Sequence, residues 1–165
     1  MFRKVLLVLI ILVNIGCDQV SKELVRDEVA ANAYIELAGK YLVLTNVENT
    51  GAFLGFGSSL SPILKNILLL GLPTIMLLAL TTYMFRSKKT DFPTTIAFGF
   101  ILGGGFGNLY DRFVHGSVTD FVHINLGFVK TGIFNMADVS VTVGILFLFF
   151  YNISTKMPKS NRFDQ

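Results

Sequence analysis

Long apolar stretches, separated by short polar ones, make up most of this chain. Ile67 to Phe85 and Phe92 to Tyr110 each run for 19 residues without a charged side chain, close to the roughly 20 residues that a helix needs to cross a bilayer. Ile133 to Ile153 has 21 residues and one charge, Asp138, near one end. At the N-terminus, the apolar run from Val5 to Cys17 continues as a helical pattern beyond the cysteine. The pattern predicts transmembrane helices over about 5–25, 62–85, 92–111 and 133–153.

The two segments that join these helices on one side, 26–61 and 112–132, are longer than simple turns. In the first, β-prone residues on both sides of Gly39 and Lys40 predict two strands within 34–47. The second, which contains aromatic residues and a glycine, predicts a loop or a short hairpin. We therefore expect an all-α membrane protein, a single domain over residues 1–165, with four transmembrane helices and a small extracytoplasmic β-sheet.

Lys and Arg residues in the short flanks set the orientation, because such flanks resist translocation. They lie before the first predicted helix, between the second and third, and after the fourth: Arg3, Lys4, Arg86, Lys88, Lys89, Lys156, Lys159 and Arg162. We expect both termini and the 86–91 loop to be cytoplasmic. Segments 26–61 and 112–132 would then be extracytoplasmic.

The composition agrees with a membrane protein. Only 15% of residues are charged and 52% are hydrophobic, whereas a soluble domain has about a quarter charged residues. This excludes a disordered chain, a coiled coil, a nucleic-acid-binding arm and most soluble enzymes. The net charge of +3 follows from the topology, so no nucleic-acid partner is expected.

Asn14 to Cys17 resembles a lipoprotein cleavage site, but three further apolar segments follow it, which disfavours a lipoprotein.

Ionisable side chains at bilayer depth cost about 2.5–3.5 kcal/mol even on the lenient insertion scale, so each one is a candidate for function. In the predicted topology they collect at the extracytoplasmic end, together with several amides: Asp18, Lys22, Asp111, Arg112, Asp120, Asp138, Asn14, Asn49, Asn108 and Asn135. Asp18 and Lys22 have the spacing of a helical ion pair. Asn108, Asp111 and Arg112 share a helix face, so Arg112 could neutralise Asp111.

Asp138 has no basic residue within a helical turn, and Asp120 has no adjacent Lys or Arg. A lone buried carboxyl is either protonated or functional. Two such carboxyls near each other share one proton and divide into a general base and a general acid, the chemistry of aspartic peptide hydrolysis. The chain lacks a His-Glu-x-x-His motif, and two histidines with one cysteine make a poor zinc site. No metal or other cofactor is therefore expected.

Gly99, Gly103 and Gly107 recur every four residues in the third predicted helix. This spacing favours close packing of helices within lipid. The glycine-rich stretch does not follow a strand, so its context excludes a dinucleotide-binding loop.

Five separated blocks of sequence resemble the lipoprotein signal peptidase (signal peptidase II) family of bacterial inner-membrane aspartic proteases. The blocks are Asp18-Gln19-Val20-Ser21-Lys22, Glu48-Asn49-Thr50-Gly51-Ala52-Phe53, Gly107-Asn108-Leu109-Tyr110-Asp111-Arg112, Val118-Thr119-Asp120-Phe121 and Phe134-Asn135-Met136-Ala137-Asp138. Departures from the family pattern are minor and fall at Glu48, Ser21 and Phe53.

The resemblance implies that Asp120 and Asp138 are the catalytic pair. The substrate would be a prolipoprotein with a diacylglyceryl group on its signal-peptide cysteine, cut just before that cysteine. The remaining matched polar positions would line or support the site: Asn49, Gly51, Asn108, Asp111, Arg112 and Asn135, with Asp18 and Lys22 shaping its outer end. The resemblance also implies a β-cradle, contact with membrane lipid and inhibition by the cyclic peptide globomycin.

Two other classes remain open at this stage. An ion- or proton-coupled carrier would use intramembrane aspartates to bind cations, and a non-catalytic scaffold would use polar groups only to join helices. A further hypothesis concerns the external segment with Gly51, Gly55 and Gly57, which could form a mobile flap over the site.

Overall fold

A computed structural model describes residues 1–52, 56–88 and 90–156. The helices are α1 (Phe2–Glu28), α2 (Pro62–Lys65), a π-helical segment (Asn66–Gly71), α3 (Leu72–Arg86), α4 (Phe92–Val114) and α5 (Met136–Lys156). The strands are β1 (Ile35–Glu36), β2 (Leu42–Asn49), β3 (Val118–Asn125) and β4 (Lys130–Phe134). Five residues discussed above lie outside the described part of the chain: Phe53, Gly55, Lys89, Lys159 and Arg162.

Within the described residues, three helical segments are long and apolar enough to cross a membrane: Phe2–Glu28, the continuous run Pro62–Arg86, and Met136–Thr155. The structure thus supports a mostly helical membrane protein with a small sheet. Helix α4 has a sufficient length of 23 residues and contains the stretch Phe92 to Tyr110, which has no charged side chain. The transmembrane position of α4 remains a prediction.

The helix limits differ from the predicted span limits in two places. The fourth span was expected to begin at 133, but Ile133 and Phe134 complete β4, and α5 begins at Met136. The reason is that Asn135 caps the helix: its side-chain Oδ1 accepts the backbone N–H of Asp138 at 3.0 Å. The third helix continues to Val114, beyond the predicted end of its membrane span at 111, and it contains Asn108, Asp111 and Arg112 on one face as predicted.

Helix α4 lies at the centre of the bundle and contacts α1, α3 and α5. Its glycines confirm the close packing that their spacing predicts, because a Cβ atom at each would fall within 3 Å of α1. The pairs are Gly99 with Ile10 (2.7 Å), Gly103 with Asn14 (2.6 Å) and Gly107 with the carboxylate of Asp18 (2.5 Å). On the α5 side, a Cβ at Gly104 would lie 2.3 Å from the carbonyl oxygen of Ala137.

The four strands form one antiparallel sheet in the order β1-β2-β3-β4. The two strands expected within 34–47 and the second hairpin are therefore confirmed, although β2 continues to Asn49. The sheet packs on the end of α1, where Val25 and Val29 contact Phe121 of β3. This contact brings β3 and the C-terminal half of α1 to the same end of the bundle.

Candidate active site

Asp120 lies on β3 with only 4% of its surface exposed. Both carboxylate oxygens accept hydrogen bonds from amide side chains: Oδ1 from Asn135 Nδ2 at 2.6 Å and Oδ2 from Asn49 Nδ2 at 2.9 Å. Burial raises the pKa of Asp120 to about 6; the charge of Asp138 acts in the same direction, and the hydrogen bonds from Asn49 and Asn135 oppose the rise. Asp120 therefore keeps its proton to a higher pH than an ordinary carboxyl does.

Asp138 is in the first turn of α5, and Asn135 holds it from both sides. The Asp138 N–H donates to Asn135 Oδ1 at 3.0 Å, and Asp138 Oδ2 accepts from the Asn135 N–H at 3.3 Å. This reciprocal pair is a capping box, formed here by Asn and Asp. The other carboxylate oxygen, Oδ1, accepts from Asn108 Nδ2 at 2.8 Å. Asn135 also donates to Asp120, so one amide side chain orients both carboxyls.

Both carboxyls line one cavity of about 20 Å³ at the junction of the sheet and the bundle. The polar residues around it are Asn49, Asn108, Arg112, Asp120, Asn135 and Asp138. A polar cavity of this size holds about one water molecule. Arg112 is fixed at its edge, since its guanidinium donates to the carbonyl of Gly51 at 3.0 Å and to that of Asn108 at 3.3 Å.

A fully buried ion cluster lies directly behind Asn108. Lys22 Nζ is 2.7 Å from Asp18 Oδ2, 2.8 Å from Asp111 Oδ2 and 2.9 Å from Asn108 Oδ1. The spacing-based pairing of Asp18 with Lys22 is therefore confirmed. The suggested partner of Asp111 was wrong, because its ion pairs in the described structure are with Lys22 and with Arg26 at 3.2 Å. Arg112 is left free of that cluster to line the cavity.

Asp18 also stabilises the start of α5, since its Oδ1 accepts the backbone N–H of Ala137 at 2.8 Å. A carboxylate at a helix N-terminus satisfies a free N–H group and interacts favourably with the helix dipole. Through this bond α1 holds the helix that carries Asp138.

Sequence reasoning missed three members of this network: Gln19, Arg26 and Thr119. Gln19 Nε2 donates to Asp18 and Asp111, each at 3.0 Å. Arg26 Nε donates to Thr119 Oγ1 at 2.8 Å. A signal for Arg26 existed, because it follows Asp18 and Lys22 at the same four-residue spacing. Gln19 and Thr119 lie inside two of the five sequence blocks named above, but no spacing pattern indicated their hydrogen-bond partners.

Two larger cavities adjoin Asp120 and Asp138 and share Gly132 and Ile133 in their walls. One, of about 360 Å³, reaches Asp120 between β2 and β4. The other, of about 310 Å³, reaches Asp138 and is lined mainly by apolar groups of β4 and α5, including Val139. Within the described residues, no group of three or more His, Cys, Asp or Glu side chains is placed to hold a metal ion.

Chemically, two carboxyls around a water-sized space can divide into a base that activates water and an acid that protonates a leaving group. Asn14 does not belong to this arrangement. It lies deeper in the bundle, where its Oδ1 accepts from Ser140 Oγ at 2.6 Å.

Two solved structures share this fold, and both are described as a bacterial membrane enzyme. One superposes with a TM-score of 0.79 over 96% of this chain and 94% of the other, at 24% identity. The second gives a TM-score of 0.76 over 92% of this chain and 94% of the other, at 25% identity. An apolar bundle with one end closed by a sheet is thus the fold of a known class of membrane proteins.

Sequence comparison identifies the family within that class. The chain belongs to the signal peptidase (SPase) II family, whose model matches residues 10–154. Relatives named lipoprotein signal peptidase include that of Borrelia turicatae, 33% identical over 150 residues and 87% of each chain. That of Treponema denticola is 39% identical over 127 residues and 73% of each chain. The resemblance noted in the sequence is confirmed, and the chain is a peptidase by family.

Proposed function

We propose that this protein is an aspartic endopeptidase that removes the signal peptide from diacylglyceryl-modified prolipoproteins, cutting directly before the lipidated cysteine. The observation that carries the proposal is that Asp120 and Asp138, 18 positions apart in sequence, line one cavity of about 20 Å³. Membership of the signal peptidase II family supports the substrate class.

In the proposed mechanism the dyad holds one shared proton. The ionised carboxyl takes a proton from the water between the two side chains, and the resulting nucleophile attacks the scissile carbonyl. The protonated carboxyl then gives its proton to the leaving nitrogen. The titration belongs to the pair and to neither residue alone.

The other polar groups around Asp120 and Asp138 position the two carboxyls and stabilise the negative charge that develops during the reaction. Asn108 and Asn135 fix the two carboxyls through the bonds described above. Arg112, held by the carbonyl of Gly51, supplies positive charge beside the cavity, where negative charge develops on the tetrahedral intermediate. The mechanism requires no cofactor.

The two larger cavities suggest how substrate lies across the dyad. The apolar cavity near Asp138 suits the signal peptide and lipid chains, and the cavity between β2 and β4 suits the polypeptide after the cysteine. Globomycin, a cyclic peptide, would occupy the same space as an inhibitor.

The proposed orientation puts both termini in the cytoplasm and the dyad at the extracytoplasmic face of the inner membrane. Its support is the separation of charges: Arg3, Lys4, Arg86 and Lys88 flank the bundle at the end opposite to the dyad. Lipid-anchored substrate would then enter sideways from the outer leaflet, and water from the aqueous side.

The test is a processing assay with purified protein and diacylglyceryl-modified prolipoprotein. Asp120→Asn and Asp138→Asn are each expected to abolish conversion to the mature length. Asp27→Asn is the matched control, because Asp27 is exposed at the same end of α1. Conversion at the wild-type rate by either Asp variant would contradict the proposal. The remaining hypotheses would then be an ion- or proton-coupled carrier and a non-catalytic scaffold.

A further inference from the structure

A cavity of about 510 Å³ lies at the end of the bundle opposite to the dyad. Its wall comes from the first two turns of α1 and from the connection between α3 and α4, including Arg3, Lys4, Leu7, Met84, Lys88 and Thr90. We propose that this cavity binds the headgroup of an anionic phospholipid. The inference does not depend on the peptidase mechanism.

Three cations from two separate segments surround the cavity: Arg3 and Lys4 from α1, and Lys88 from the connection. All three side chains are exposed at its mouth. Arg3 also donates a hydrogen bond to the carbonyl of Thr90, which ties α1 to the connection and holds the guanidinium at the rim. Converging positive charges of this kind attract a phosphate group.

The carboxylate nearest to these cations in sequence, Asp91, is already occupied. Its Oδ1 accepts the backbone N–H of Thr94 at 2.9 Å, where it caps α4, and its Oδ2 accepts the hydroxyl of Tyr151. These bonds direct Asp91 toward α4 and α5. Among the residues that the structure describes, Arg3, Lys4 and Lys88 form no ion pair, so their positive charge is available to a ligand.

The surroundings favour a lipid over a soluble phosphate. The floor of the cavity is apolar and buried, formed in part by Leu7 and Met84. Beside the cations, Phe2 is 72% exposed and Val5 51% exposed, so an apolar surface continues from the cavity onto the outside of α1. Basic pockets between helices at the membrane boundary are suited to acidic lipid headgroups, with the acyl chains along such a surface.

The site is remote from the dyad. Lys4 and Asp18 are separated by 14 positions of one continuous helix, which is roughly 20 Å at 1.5 Å per residue. Substitutions at Arg3 and Lys88 therefore leave the candidate active-site groups described above in place, and far-ultraviolet circular dichroism with the thermal unfolding midpoint in detergent reports whether such variants are folded.

The test compares lipid binding by the full-length protein, purified in detergent, using native mass spectrometry with phosphatidylglycerol and with phosphatidylcholine of identical acyl chains. The variant is Arg3→Gln with Lys88→Gln. The matched control is Lys40→Gln with Lys130→Gln, which removes the same charge from exposed positions on or beside the sheet. We expect the wild type to prefer phosphatidylglycerol, and the variant to lose about 30-fold in affinity for it. The control should bind as the wild type does.

Equal binding of the two lipids by the wild type, or an unchanged affinity in the variant, would overturn the inference. Displacement of the lipid by inorganic phosphate at the same concentration would also overturn it, because the site would then be one for free phosphate. If the double variant does not show the circular dichroism spectrum of the folded wild type, the single variant Lys88→Gln is measured instead, with an expected loss of about fivefold in affinity for phosphatidylglycerol.

Discussion

Lys22 determines which way the amide of Asn108 faces. Its Nζ donates to Asn108 Oδ1 at 2.9 Å, and because an ammonium group can only donate, the other end of the amide must be the NH2 group. That group donates to Asp138 Oδ1 at 2.8 Å. A buried cation on α1 thus fixes a hydrogen bond to a carboxyl on α5 through a residue on α4.

Lys22→Met should therefore damage both stability and activity. It leaves the buried carboxylates of Asp18 and Asp111 without their shared cation, at a cost of about 3–5 kcal/mol. It also frees Asn108 to rotate away from Asp138. Chemical denaturation in detergent and the processing assay measure the two effects. Lys40→Met, at an exposed position beside the sheet, is the control, and equal stability of the two variants would argue against a supporting role for the cluster.

The pH dependence of kcat/KM should have a descending limb near pH 6. Asp120 has a pKa raised to about 6, first by burial and then by the charge of Asp138. Above that pH the pair loses its shared proton, and with it the acid that protonates the leaving group, so kcat/KM should fall about tenfold per pH unit. Rates from pH 4.5 to 8 test this, and a flat profile over that range would exclude the shared-proton mechanism.

Asn49→Ala should move that limb to higher pH. The hydrogen bond from Asn49 lowers the pKa of Asp120 against the effect of burial, so its removal should raise the pKa further. Asn46→Ala is a control of the same residue type on the same strand, since Asn46 donates to the carbonyls of Val25 and Val29. If the limb shifts in both variants, or in neither, it does not report the titration of Asp120.

Folding stability should also depend on pH through Asp120. Its carboxyl has an ordinary pKa of 3.8 and a folded-state pKa of about 6. A raised carboxyl pKa means that the folded state is favoured below the lower value and loses that advantage as pH rises through the higher one. Between pH 4 and pH 7 the wild type should therefore lose up to about 3 kcal/mol relative to Asp120→Asn. The unfolding free energy of both proteins is measured by denaturant titration at each pH. If it changes with pH in the same way for both, the pH dependence does not come from Asp120.

Gly104→Ala should destabilise the bundle, whereas Gly16→Ala should not. A Cβ at Gly104 would lie 2.3 Å from the backbone oxygen of Ala137, while one at Gly16 meets nothing within 4 Å. Separating α4 from α5 should cost about 1–3 kcal/mol and lengthen the bond between Asn108 and Asp138. The free energies of unfolding of the two variants are compared from their unfolding curves. Equal values would show that α4 and α5 can move apart without loss of stability.

Local patterns in the sequence were enough to predict the helices and the strands and to select Asp120 and Asp138, which the structure brings to one cavity, because each pattern depends on neighbours within a few residues. The ion-pair partners of buried residues could not be predicted in this way. Asp111 and Arg112 are adjacent on one helix, yet Asp111 pairs with Lys22 and Arg26 on α1, because α1 presents two cations across the glycine contact. The start of α5 was also misplaced, because apolar residues of β4 run directly into it.

The glycines of α4 bear on how this protein is made. The residues that let α1 and α5 approach so closely present no side chain of their own, so at these positions α4 is stabilised by its neighbouring helices and not by lipid. During synthesis, the polar centre should therefore form only when α5 has followed α1 and α4 into the bilayer, because Lys22, Asn108 and Asp138 come one from each of these helices.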